Sequence, residues 1–336
     1  MSAARLTWKV VILGTLACAA PAFGRPGEEK DGRWAILVAG VSGDPELQRE
    51  YLKQLKDMDA ILKKQLGFRH QQVFVLFDDP SLDPGFVQYR STREELEKVC
   101  QTVGAQSGKD DLVFVFILGH GSMEGDEYKL NLVGPDPTGA QLASMLNEIP
   151  AQHSIVINTT NCSGGSLKAL SKNGRIVVTA TRSGSEKNQT HQAEYLIQAF
   201  KDNKADTDKD GRVSILEAFR YASQMVQTRY SGAGTLQTEH SQLDDNGDGQ
   251  GQLNPAPENG EGLLARTTFL DTGPALLARG NLSPEEEAMA REAESLEKQI
   301  EVLKYSKSQM PQDEYEKKLE ELLLKLAQIN ARLRKK

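Results

Sequence analysis

From residue 33 onward, short unbroken apolar runs alternate with stretches whose apolar residues recur every three or four positions. The runs at 34–41 (WAILVAGV), 73–77 (VFVLF), 111–118 (DLVFVFIL), 154–159 (SIVINT) and 175–181 (RIVVTAT) predict strands buried on both faces. Between the first two, Leu47, Tyr51, Leu52, Leu55, Met58, Ile61 and Leu62 keep helical spacing until Gly67 stops it. Helices are also predicted over 91–106, where Thr92 and Glu95 make a Thr-x-x-Glu capping box, and over 140–149. Apolar strands separated by helices predict an α/β fold: a three-layer sandwich around a mostly parallel sheet.

After residue 181 the pattern changes. Residues 192–204 and 215–230 read as helices around an acidic loop, an EF-hand-like insert reaching to 255 within a main domain of 30–270. Residues 231–259, rich in Gly, Asp, Asn and Gln, read as loop, and 271–282 as a linker. Ser283-Pro284-Glu285-Glu286 starts a helix, with a cap, a proline in the first turn and acids at the positive end. Met289, Ala293, Leu296, Ile300 and Leu303 then alternate spacings of three and four. So do Tyr315, Leu319, Leu322, Leu326, Ile329 and Leu333, after a break at 306–313 that holds Pro311. Residues 283–336 therefore predict an antiparallel hairpin with coiled-coil seams, packing on itself, on the domain or on another copy of the chain.

The first 24 residues read as an address. Arg5 and Lys9 precede the apolar stretch 10–20, and Pro21-Ala22-Phe23-Gly24 brings small residues to a cut site. The alternative, an amphipathic first helix, is broken at once by Arg25-Pro26-Gly27. Cys18 after Thr15-Leu16-Ala17 loosely resembles a lipoprotein box. Export to the periplasm or the exterior is expected. No later apolar run is long enough to cross a bilayer, so the mature chain is expected to have no transmembrane span. Hydrophobic residues at 38% suffice for a core, and three cysteines are too few for a disulfide-dense scaffold. A net charge of −7 without a long basic run argues against a nucleic-acid partner.

Two strand ends carry candidate chemistry. The run at 111–118 leads into Gly119-His120-Gly121-Ser122, and the run at 154–159 into Thr160-Asn161-Cys162-Ser163-Gly164-Gly165. In open α/β sheets, sites form beyond the carboxyl ends of the strands, and strands joined by one helix often lie side by side. His120 and Cys162 are then expected to face each other. An imidazole that takes the thiol proton makes a nucleophile, and the N–H groups of Gly121 and Cys162 are expected to hold an oxyanion. The four glycines are expected to let a substrate backbone approach. This chemistry suits acyl transfer on a peptide or protein substrate. Taken singly, His120 would be a buried structural residue and Cys162 a small hydrophobe. Cys100, between Leu96 and Val99 in a helical run, reads as core.

A strand ending in His-Gly followed by one ending in Cys-Ser-Gly-Gly resembles the caspase/legumain clan of cysteine peptidases, and most closely the legumain-like (asparaginyl endopeptidase) family. Val38-Ala39-Gly40 and Val177-Val178-Thr179-Ala180-Thr181 resemble that family's strands, so the likeness spans about 33–200. It implies a His120–Cys162 dyad with Gly121 and Cys162 N–H groups as the oxyanion hole. Two positions depart: Thr160 stands where the family carries an acid, and Ser42 where legumains carry an asparagine. Asparagine specificity is therefore not implied. An inactive calcium-binding relative, or a transamidase or ligase on the same dyad, fits the same residues.

Residues 206–217 (DTDKDGRVSILE) fit a twelve-residue EF-hand loop for Ca2+. Asp206, Asp208 and Asp210 stand at positions 1, 3 and 5, Gly211 at 6, the Arg212 carbonyl at 7, Ser214 at 9 and Glu217 at 12. Asp244, Asn246 and Asp248 repeat the first half, but Pro255 falls at the twelfth position. That segment reads either as a weaker site or as an ordinary Asn/Gly-rich turn. The expected role of calcium is structural.

Overall fold

The first apolar run forms β1 (Arg33–Ala39), whose residues are all buried, and Asp44 then caps α1 (Pro45–Lys64) by accepting the N–H groups of Glu46 and Leu47. There follow β2 (Val73–Phe77), a short β3 (Tyr89–Arg90), α2 (Arg93–Gln106) and β4 (Leu112–Leu118). A hairpin of β5 (Gly121–Glu124) and β6 (Glu127–Leu130) leads to α3 (Gly139–Asn147), β7 (His153–Asn158), α4 (Leu167–Leu170) and β8 (Arg175–Thr179). The remaining elements are α5 (Gln192–Asp202), α6 (Ile215–Ala233), β9 (Gln242–Asp244), α7 (Leu263–Arg266), α8 (Pro284–Tyr305) and α9 (Gln312–Arg334). This computed structural model describes residues 32–202, 204–256, 259–271, 283–305, 307 and 310–334. The expected leader at 1–24 and most of the linker at 271–282 lie outside them.

The central sheet has the order β3-β2-β1-β4-β7-β8-β9, parallel throughout except for β9, which runs antiparallel to β8. Successive side chains alternate between its faces. Leu37, Phe114, Phe116 and Ile157 join Leu55 and Met58 of α1, Leu196 of α5 and Phe219 of α6 on one side. Ile36, Val113, Val115 and Val156 join Leu96 and Val99 of α2 and Leu142 and Leu146 of α3 on the other. Helices on both faces of a buried parallel sheet make the expected three-layer α/β sandwich.

The structure corrects three local readings. Residues 231–259 are more than loop, because Gln242–Asp244 completes the sheet edge as β9. The β5–β6 hairpin directly after His120 was not anticipated. Thr92 caps α2 by accepting the Glu95 N–H at 3.2 Å, but the Glu95 carboxylate pairs with Lys98 and does not close the box.

In α8 and α9, Ala293 and Leu296 pack against Ile329 and Leu333, so early α8 meets late α9 in an antiparallel pair. Arg266 pairs with Glu301 at 2.8 Å and Arg212 with Glu294 at 3.6 Å, so the hairpin touches the domain as well as itself. Among the described residues, no helix is long and apolar enough to cross a membrane.

Candidate active site

The β4–β7 register sets Ile117 opposite Asn158, so the chain segments leaving these two strands emerge side by side at one edge of the sheet. His120 follows the first and Cys162 the second. A direct hydrogen bond joins their neighbours: the Gly121 N–H donates to Asn161 Oδ1 at 2.9 Å. Glycine is required at 121 by close approach, because a Cβ there would collide with the Tyr128 ring and the Asn161 carbonyl.

His120 is held by its surroundings. Its Nε2 lies 3.2 Å from the Ser42 carbonyl oxygen, and its ring meets Tyr51 edge-on at 6.2 Å. A carbonyl only accepts, so Nε2 carries the proton and Nδ1 is left as the basic nitrogen. Ser42 is fixed in turn, its hydroxyl donating to Asp78 Oδ2 at 3.1 Å.

Cys162 is 2% exposed and adopts a left-handed backbone with φ 57, which costs a non-glycine residue energy and is concentrated at functional sites. Burial pushes its thiol above the ordinary value, and Lys187 opposes the shift. The Asn161 side-chain amide donates toward Sγ at 3.9 Å and to the Lys187 carbonyl at 2.9 Å. Beneath the cysteine, Thr160 belongs to a neutral buried network: its hydroxyl meets Tyr128 Oη at 2.7 Å and Asn158 Oδ1 at 2.8 Å. Cys100 has its thiol pushed up to about 12, first by burial and then by Glu148 and Glu97, and both cysteines are free.

Both expected oxyanion donors have internal partners in this structure. The Gly121 N–H is taken by Asn161, and the Cys162 N–H donates to the Glu186 carbonyl at 2.8 Å. Buried N–H groups are costly when unpaired, and the protein's own oxygens satisfy these two. Gly164 and Gly165 likewise serve internal packing, since Cβ atoms there would meet the backbone at 182–183 and the Met123 side chain.

The segment at 182–191, which accepts hydrogen bonds from Asn161 and Cys162, is anchored by residues just before β9. The Glu186 carboxylate accepts from His240 Nδ1 at 2.6 Å and from the backbone N–H groups of Arg182 and His240, each at 3.1 Å. Glu239, fully buried, accepts the His191 N–H. Asn161 meets the site through its side-chain rotamer, Glu186 through the path of its loop and Ser42 through its carbonyl; the sequence offered the Asn161–Cys162 adjacency and the Ser42 position but no sign of Glu186.

Of the expected calcium ligands, Asp206, Asp208 and Asp210 converge, with carboxylate oxygens within 4.8 Å of one another. Asp206 Oδ1 is buried without a hydrogen-bond partner, as a metal ligand would be. Glu217 divides its carboxylate: one oxygen accepts from Ser214 N and Oγ at 3.0 and 2.9 Å, part of a capping box on α6, and the other accepts from Thr207 N and Oγ1 at 2.8 and 2.9 Å at the start of the same loop. Burial pushes the Glu217 carboxyl up, but these bonds hold it below the ordinary value. The Arg212 side chain stacks on Phe269 at 3.7 Å and pairs with Asp271. In the second segment Asp244 and Asp248 converge with a residue the motif did not include, Glu261.

No family model and no curated protein sequence matches the chain. Solved structures do. The Drosophila initiator caspase Dronc is similar with a TM-score of 0.43 and 13% identity over 67% of this chain and 84% of that one. A Geobacter sulfurreducens structural-genomics protein is similar with a TM-score of 0.43 and 12% identity over 63% and 92%. The structure of drICE is similar with a TM-score of 0.40 and 15% identity over 65% and 89%.

Proposed function

We propose that the chain is an exported cysteine endopeptidase of the caspase/legumain kind, with His120 as base, Cys162 as nucleophile and structural calcium in the 206–217 loop. The observation that carries this reading is the Gly121–Asn161 hydrogen bond, which brings the residue after the histidine against the residue before the cysteine at the carboxyl edge of a parallel sheet. With Nε2–H held by Ser42, the Nδ1 lone pair takes the Sγ proton as sulfur attacks the scissile carbonyl carbon. The tetrahedral oxyanion takes the Gly121 and Cys162 N–H groups once Asn161 Oδ1 rotates away and the Glu186 carbonyl withdraws. His120 then gives its proton to the leaving amine, and water hydrolyses the thioester. An amine in place of water would make the same acyl-enzyme a transamidase. Bound calcium would offset the charge of Asp206, Asp208 and Asp210, with the Arg212 carbonyl, Ser214 and Glu217 completing the shell after Glu217 leaves its cap.

A second reading has its own support. Both oxyanion donors are occupied and the thiol is pushed up, which favours an inactive, calcium-binding interaction module of the same fold. Incubating the full chain with a panel of peptide amides, in calcium and in EDTA, separates the two. The peptidase reading expects cleavage and a thioester mass adduct on Cys162, both lost in Cys162→Ala. No cleavage and no adduct across the panel, after any self-processing, would leave the interaction module.

A further inference from the structure

The acidic turn after β9 shares its backbone with the first loop. Gly249 N–H donates to Asp244 Oδ2 at 2.8 Å, as Gly211 N–H does to Asp206 Oδ2 at 3.0 Å. Gln250 N–H donates to Asp248 Oδ1 at 2.7 Å, as Arg212 N–H does to Asp210 Oδ1 at 2.8 Å. What the turn lacks is a closing carboxylate, because Pro255 stands at the twelfth position.

Glu261 supplies one from further along the chain. Its carboxylate and those of Asp244 and Asp248 offer oxygens within 4.8 Å of one another. Glu261 is 1% exposed, its Oε2 accepts the Asp245 N–H at 2.8 Å, and its Oε1 is buried with no hydrogen-bond partner. The segment bearing it is fixed in place. Asp245 accepts the N–H groups of Gly262 and Ala265 at 2.7 and 2.8 Å, and Asn246 Nδ2 donates to the Gly260 carbonyl at 3.2 Å. Gly262, with φ +89, makes the bend that a side chain would strain. A bare, buried carboxylate oxygen beside two more carboxylates is costly unless a cation or a proton sits among them.

We infer that Asp244, Asn246, Asp248 and Glu261, with the Gln250 carbonyl, form a second calcium site whose closing ligand lies outside the twelve-residue motif. An all-oxygen set suits calcium better than a soft ion. The ion would tie the end of β9 to the segment that starts α7. This site depends neither on the cysteine chemistry nor on the first loop.

Calorimetric titration of the EDTA-stripped full chain with Ca2+ tests it. Glu261→Gln is expected to weaken one binding event at least tenfold, whereas Asp206→Asn in the first loop leaves that event intact. Asp248→Asn alters an exposed ligand and is expected to weaken the same event, so the test stands even where Glu261→Gln fails to fold. Calcium stoichiometry and affinity unchanged in both Glu261→Gln and Asp248→Asn would overturn the site and leave a proton shared by Asp245 and Glu261. A single calcium, abolished by Asp206→Asn and untouched by Asp248→Asn, would overturn it equally.

Discussion

His120→Ala is expected to lower kcat/KM on a cleaved peptide amide by a factor of about 10² to 10⁴, with the folded state intact. The size follows from the state of the thiol. Burial holds Cys162 protonated, and Lys187 alone offsets only part of that, so little thiolate exists without a base. The imidazole is held in place by the Ser42 carbonyl and the Tyr51 ring. Alanine removes the proton acceptor and leaves both supports in place. Activity of the variant is expected to recover partly at alkaline pH, where hydroxide replaces the missing base. A variant as active as the wild type at neutral pH would remove His120 from the chemistry.

The second large effect concerns stability and pH. Burial raises the Glu239 carboxyl from 4.5 to about 7, although the backbone N–H groups of His191 and Gln192 pull the other way. Both carboxylate oxygens face the His191 N–H, at 2.9 and 2.8 Å, at the start of α5. Because the folded value lies above the unfolded one, the folded state binds the extra proton between them. The stabilisation is complete below about 4.5 and is lost as pH rises through about 7. The loss amounts to about 3 kcal/mol. In EDTA, the melting temperature of the wild type is expected to fall between pH 5 and pH 8 by roughly 6–12 °C more than that of Glu239→Gln. Glutamine keeps a carbonyl for the His191 N–H and removes the titration, so the difference in slope is the readout. Parallel curves would show that Glu239 ionises as freely in the fold as outside it.

The sheet was legible because burial on both faces leaves unbroken apolar runs, and all five expected strands formed within a few residues of their predicted limits. The side-by-side placement of β4 and β7 was legible from the single-helix connection between them. What escaped has local causes. β9 is three residues long amid Gly and Asp, and takes its conformation from pairing with β8, a tertiary effect without a periodic signature. Thr92 offered a capping box, but Lys98 one turn on competes for Glu95. The residues of the proposed dyad could be named because each follows a strand end. The oxygens that occupy their N–H groups could not, since Glu186 lies far along the chain and Asn161 acts by its side-chain rotamer. Glu217 fits both a calcium ligand and a helix cap by position, and it is the cap that forms here. Glu261 lies beyond the window of the calcium motif and is brought to Asp244 only by the folded path of 260–265. The reading of residues 1–24 as a leader falls outside the described residues and stands as part of the proposal.

The pairing of the Cys162 thiol with the His120 imidazole is tested most directly by the pH dependence of alkylation, read at each cysteine by peptide mass spectrometry. Cys100, buried in α2 with its thiol near 12, serves as the internal reference. With the pairing, Cys162 in the wild type reacts with iodoacetamide at a rate that levels off near neutral pH, while in His120→Ala it reacts only at alkaline pH. Slow labelling of both cysteines that rises only at alkaline pH, identical with and without His120, would contradict it.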